Sequence, residues 1–195
     1  MLIYLNYFIY NLLQLNINKL YCKYIISDRH VNTQIRYPQE ENNLNIHEVK
    51  SSLGDTFGMT IEQAEILDKF LKEHELTNIL ELGFAHGVSS CYFAAIIDDM
   101  GKGHLTTIDL NIAKFRQPNI DTLTTKLDFG KYMTIDYENK SYTWRLMKLI
   151  EENPEPIFDF CYIDCAHDWY NDGFAFLLVD KLLKPGGWIF FDDMW

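Results

Sequence analysis

The chain has 195 residues, 48% of them hydrophobic and 23% charged, which is enough to bury one sizeable core and too little for several domains. Its formal net charge of −11 leaves no basic footprint for a phosphate backbone, and the scattered lysines form no stripe. The composition therefore argues against nucleic acid as a partner and points to a small molecule. Four cysteines, Cys22, Cys91, Cys161 and Cys165, show neither zinc-type pairs nor a secreted disulfide pattern, and read as buried thiols in the reducing cytoplasm.

In chain order, the first 26 residues are strongly apolar but are interrupted by Asn6, Asn11, Gln14, Asn16 and Asn18. With no basic leader and no small-residue cleavage site, they read as a packing helix rather than a membrane anchor or signal. From Ser27 to Phe57 the chain turns polar, with Pro38 inside it, and reads as an irregular linker or a lid. "MTIEQAEILDKFLKEH" then sets Thr60 and Gln63 in capping-box spacing. Ile61, Ala64, Leu67, Phe70 and Leu71 fall on one face, which predicts an amphipathic helix.

Beyond it, short apolar runs alternate with helical stretches. Strands are predicted at 78–82, 104–110, 131–137, 157–164 and 187–193, with helices at about 88–98, 141–153 and 170–183 between them. Apolar strands separated by helical crossovers predict a parallel sheet covered on both faces, so the fold class is α/β, doubly wound and Rossmann-like.

In such a sheet, ligands bind beyond the carboxyl ends of the strands. "ELGFAHGVSS" sits there, reading Glu81-x-Gly83-x-x-x-Gly87 rather than the GxGxxG of a dinucleotide loop, with Phe84 and His86 where a pyrophosphate would need close backbone approach. This glycine turn resembles the first motif of class I S-adenosylmethionine-dependent methyltransferases. The resemblance implies a turn formed by Glu81, Gly83, Phe84 and Gly87 beside the amino-acid end of S-adenosylmethionine. It also implies an acidic residue at the end of the second strand that accepts both ribose hydroxyls, which is Asp109 here. "LLKPGGWIFFDD" resembles the turn before the family's fifth strand, although Pro and Gly also end ordinary helices.

The fourth strand ends in Asp164 and the fifth in Asp192 and Asp193. In the usual 3-2-1-4-5 order these strands are neighbours about 4.8 Å apart, so three carboxylates converge on one rim unless they merely face solvent. Their mutual repulsion calls for a cation, and a hard, Mg²⁺-like ion suits oxygen donors. The arrangement resembles the metal-dependent O-methyltransferase branch, of the catechol and caffeoyl-CoA type and including cephalosporin-hydroxylase-like relatives. Asp193 departs from that branch by standing where Asn is commoner.

The resemblance further implies a catalytic base a few residues after the fourth-strand Asp, a place taken by His167. The other readings of His167 are a helix-capping loop residue and a further metal ligand, and Asp168 reads as a helix N-terminal residue favoured by the dipole. Ser141 is implied to lie near the adenine, although Lys140 precedes it where the family often has Asp. Trp144 and Trp169 either flank the ligand or belong to the core.

The resemblance covers Thr60 to Trp195 and implies two domains of description: residues 1–57 as N-terminal helix and linker or lid, and 58–195 as the S-adenosylmethionine-binding domain. Relatives continue with a further helix and an antiparallel pair, so the last two strands are expected to be missing here. The expectation is a truncated reading of a longer gene, the other readings being a degenerate copy and a protein whose apolar fifth strand is an edge that a second copy or another partner covers. The expectation is a methyltransferase acting on a small-molecule hydroxyl acceptor. The competing readings are a nicotinamide-dependent Rossmann enzyme and a non-catalytic binding module.

Overall fold

The structure is a computed structural model that describes residues 44–192. The apolar first 26 residues, Cys22 and Asp193 lie outside the described residues. Among the described residues, no helix is long and apolar enough to cross a membrane.

Eleven main elements follow one another: α1 (Ile46–Leu53), α2 (Ile61–Glu73), β1 (Asn78–Leu82), α3 (Val88–Met100), β2 (His104–Leu110), α4 (Ile120–Leu127), β3 (Met133–Glu138), α5 (Tyr142–Glu152), β4 (Phe158–Ile163), α6 (Trp169–Leu182) and β5 (Leu183–Phe191). The strands form one parallel sheet in the order β3-β2-β1-β4-β5, as expected.

Side chains alternate across a strand, so each strand feeds two cores. Ile79, Leu105, Phe160 and Phe190 face the layer built from α1 to α4. Leu80, Leu82, Ile108, Cys161, Ile163 and Ile189 face α5 and α6. The central crossover helix α3 is buried from Val88 to Ile97, all but its last turn, which explains why that stretch is largely apolar on every side.

The expected capping box opens α2: Thr60 Oγ1 accepts the Gln63 N–H at 3.3 Å, and the Thr60 N–H donates to Gln63 Oε1 at 2.9 Å. Two features differ from expectation. The polar stretch before residue 57 is not wholly irregular, because Asn45 and Glu48 form a second capping box and α1 buries Ile46, Val49 and Leu53 against the core. The Lys184–Gly187 stretch lies inside β5 rather than before it, as a bulge between the pairs Phe158–Leu183 and Phe160–Trp188.

That bulge is pinned by Asp159. Its Oδ1 is 2.7 Å from Lys184 Nζ, and its Oδ2 accepts the N–H groups of Asn78 at 2.9 Å and Thr77 at 3.3 Å. One carboxylate thus ties the starts of β1, β4 and β5 together, at the opposite end of the sheet from the glycine turn.

Candidate functional site

Parallel strands all release their chain at one edge, and here the ends of β1, β2 and β4 open onto one cleft. It has a volume of about 210 Å³ and is lined by Gly83, Phe84, Asp109, Tyr142, Asp164 and His167, among others. Phe57 and Met59 close it from the segment between α1 and α2, and Arg116 from the turn after β2.

The glycine turn is shaped by the chain's own packing. Gly83 has φ of +88°, and a Cβ there would lie 2.0 Å from the Asp164 carbonyl oxygen. Gly87 has φ of +93°, and its Cβ would meet the Ile120 side chain at 2.6 Å. Only glycine combines this backbone conformation with such approach. The turn is thereby locked to the β4 exit loop on one side and to α4 on the other.

Asp109 is buried at the end of β2. Its Oδ2 accepts the Ala85 N–H of the glycine turn at 2.7 Å, and its Oδ1 accepts the Leu110 N–H at 2.6 Å and the Tyr142 hydroxyl at 2.8 Å. Phe84 is buried with its ring edge-on to Tyr137, 5.3 Å between centroids, so its side chain is anchored in the core beside the cleft.

Two of the expected cofactor residues stand elsewhere. Glu81 shares the strand face of Ile79 and is fully buried beneath α3, where its Oε2 accepts the hydroxyls of Ser90 and Thr107. Burial, with the neighbouring Asp109 charge, pushes its carboxyl up to about 7 against the opposing hydroxyl donors. Ser141 caps α5, accepting the Trp144 N–H at 3.0 Å. Neither lines the cleft. Trp144 is covered by the ammonium groups of Lys140 and Lys148, and Trp169 is largely exposed.

At the β4 end, Asp164 Oδ1 lies 2.8 Å from His167 Nε2. Burial first, and then the charge of Asp192, push the Asp164 carboxyl up to about 7, with His167 opposing them. His167 holds this position from a left-handed backbone, φ 55°. Asp168 caps α6 by accepting the Asn171 N–H at 2.8 Å. Cys165 Sγ donates to Asp172 at 2.8 Å.

Asp192 follows β5, its N–H bonded to the Ile163 carbonyl. Its carboxylate lines a second, smaller depression with Gln63 and Tyr162. Asp164 and Asp192 thus share one rim and feel each other's charge. Among the described residues, no group of three His, Cys, Asp or Glu is placed to hold a metal ion.

Sequence reasoning missed Tyr142, Arg116 and Met59, whereas Phe57 ends the stretch read as a linker or a lid. Tyr142 directly follows Ser141, which the resemblance places near the adenine, and the first residue of a helix after β3 opens toward the same strand ends.

Comparisons with known proteins agree with this fold. Residues 80–194 match the family described as a methyltransferase domain. The fold is similar to a Staphylococcus aureus protein named as a caffeoyl-CoA O-methyltransferase, with 24% identity, a TM-score of 0.55, and coverage of 75% of this chain and 64% of that one. It is also similar to an O-methyltransferase from Bacillus cereus in complex with S-adenosylhomocysteine, with 20% identity, a TM-score of 0.57, and coverage of 76% and 66%. A third likeness is to a methyltransferase from Podospora anserina bound to S-adenosylhomocysteine, with 19% identity, a TM-score of 0.60, and coverage of 75% and 61%. The chain spans just under two thirds of the length of these structures. No curated protein matches the chain.

Proposed function

Because the chain belongs to the methyltransferase-domain family, we propose that its cleft binds S-adenosylmethionine and that the protein methylates an oxygen of a small hydroxylated molecule with the help of a divalent cation. The observation that carries this reading is the gathering of the glycine turn, Asp109 and the Asp164–His167 pair around one cavity. Asp109 offers a carboxylate to a ribose diol, while the turn leaves room for an amino-acid group rather than a pyrophosphate.

Methyl transfer is an in-line displacement. The acceptor oxygen forms a bond to the methyl carbon as the sulfur–methyl bond breaks, and the sulfonium becomes a neutral thioether. The acceptor must also lose its proton. His167 takes it: with Nε2–H donating to Asp164, the imidazole presents Nδ1 as the accepting nitrogen. Holding the acceptor in line with the methyl group supplies much of the remaining rate.

Asp164 and Asp192 are oxygen donors of the kind a hard cation takes, with Asp193 beyond the described residues as the third. Burial first, and then the charge of Asp192, push the Asp164 carboxyl up to about 7, and a cation held between the two carboxylates would offset both effects. When bound, a divalent cation lowers the pKa of a coordinated hydroxyl and fixes its oxygen.

The test is to incubate the protein with S-adenosylmethionine, Mg²⁺ and a panel of catechols, phenols and sugars, and to measure S-adenosylhomocysteine. Acceptor-dependent product that falls with chelator supports the proposal. No product from any acceptor contradicts it, and product undiminished by chelator removes the metal from the mechanism.

A further inference from the structure

Resting on the cofactor reading above, the geometry points to Tyr142 as a specificity-determining residue that competes with the ribose diol for the Asp109 carboxylate. An ionised carboxylate offers about four acceptor sites, two on each oxygen. On Asp109, the Leu110 N–H and the Tyr142 hydroxyl fill both sites of Oδ1, and the Ala85 N–H fills one site of Oδ2. One site is left. A vicinal diol that donates both of its hydroxyls needs two, so one donor already present must give way.

The Ala85 and Leu110 donors are backbone groups of the glycine turn and of β2, and they cannot withdraw without dismantling the strand ends. The Tyr142 hydroxyl sits at the tip of a rotatable side chain on the first residue of α5 and faces the same cleft as Asp109. It is therefore the donor that yields. The phenol keeps its proton near neutral pH, because burial and the adjacent Asp109 charge push its pKa well above the ordinary tyrosine value. The competition therefore operates wherever the cofactor binds. In the absence of ligand, the same hydroxyl keeps a buried carboxylate satisfied, which explains why the chain tolerates Asp109 at 7% exposure.

Deleting a polar group from a binding cleft ordinarily weakens binding, whereas Tyr142→Phe removes a competitor, keeps the ring and frees the second acceptor site. Calorimetric titration of both proteins with S-adenosylhomocysteine is expected to show the variant binding about three- to tenfold tighter, the worth of one exchanged hydrogen bond. Binding by both proteins with equal or weaker affinity in the variant overturns this inference alone. A gain of the same size toward the 2′-deoxy analogue, which has no vicinal diol, also overturns it, by assigning the effect to space. No binding by either protein overturns the cofactor reading and this inference with it.

Discussion

His167 Nε2 stands 2.8 Å from Asp164 Oδ1, and this contact fixes the orientation of the one imidazole that lines the cleft among the described residues. If His167 is the base, His167→Asn lowers kcat by about 10² to 10⁴, the range for a lost general base. The affinity for S-adenosylhomocysteine changes by less than about threefold. Steady-state rates beside calorimetric titration separate the two effects. A loss of affinity as large as the loss of rate would make the histidine a structural support of the cleft.

Asp159 is the staple at the far end of the sheet. Burial opposes its ionisation, but Lys184 and the backbone N–H groups of Asn78 and Thr77 outweigh that and hold its carboxyl below the ordinary value. Asp159→Ala strands those partners and is expected to destabilise the fold by about 2 to 3 kcal/mol in urea denaturation. A carboxyl with a depressed folded pKa contributes stability above its unfolded value, about 3.9, and loses it as pH falls through the folded one. The gap between wild type and variant therefore shrinks in acid. An equal gap at pH 3 and pH 7 would contradict this account of Asp159.

Glu81 has the opposite sign. Its carboxyl is pushed up to about 7 by burial. The folded state then holds a proton that the unfolded chain releases near pH 4.3, so this residue's contribution is full in acid and lost as pH rises toward 7. The loss amounts to about 4 kcal/mol at most. Glu81→Gln, which cannot ionise, removes that dependence. Thermal melts from pH 5 to pH 8 should show a flatter profile for the variant, and superimposable profiles would show that Glu81 does not titrate in this window.

The sheet order and the strand ends were legible because position along a parallel strand determines where a residue emerges. Asp109 and Asp164 end their strands and reach the cleft. Glu81 lies within β1 on the face of Ile79 and points under α3, an outcome set by the two-residue period rather than by a motif. Ser141 was read as a ligand contact but spends its hydroxyl on the α5 cap, while its neighbour Tyr142 reaches Asp109. The short helix α1 was hidden, although Ile46, Val49 and Leu53 stand at i, i+3 and i+7 and Asn45 and Glu48 hold capping-box spacing, because eight residues set in a polar stretch give a weak periodic signal. Proline and glycine at 185–187 are punctuation that suits a turn and a bulge equally, and the Asp159 contacts that favour the bulge come from residues far away in sequence.

The central claim is that Asp109 and the glycine turn hold S-adenosylmethionine. Its most direct test is calorimetric titration of the wild type and Asp109→Ala with S-adenosylhomocysteine and with NAD. The account predicts saturable binding of S-adenosylhomocysteine by the wild type, about tenfold or more weaker in Asp109→Ala, and no response to NAD. Binding of NAD with no response to S-adenosylhomocysteine would contradict it.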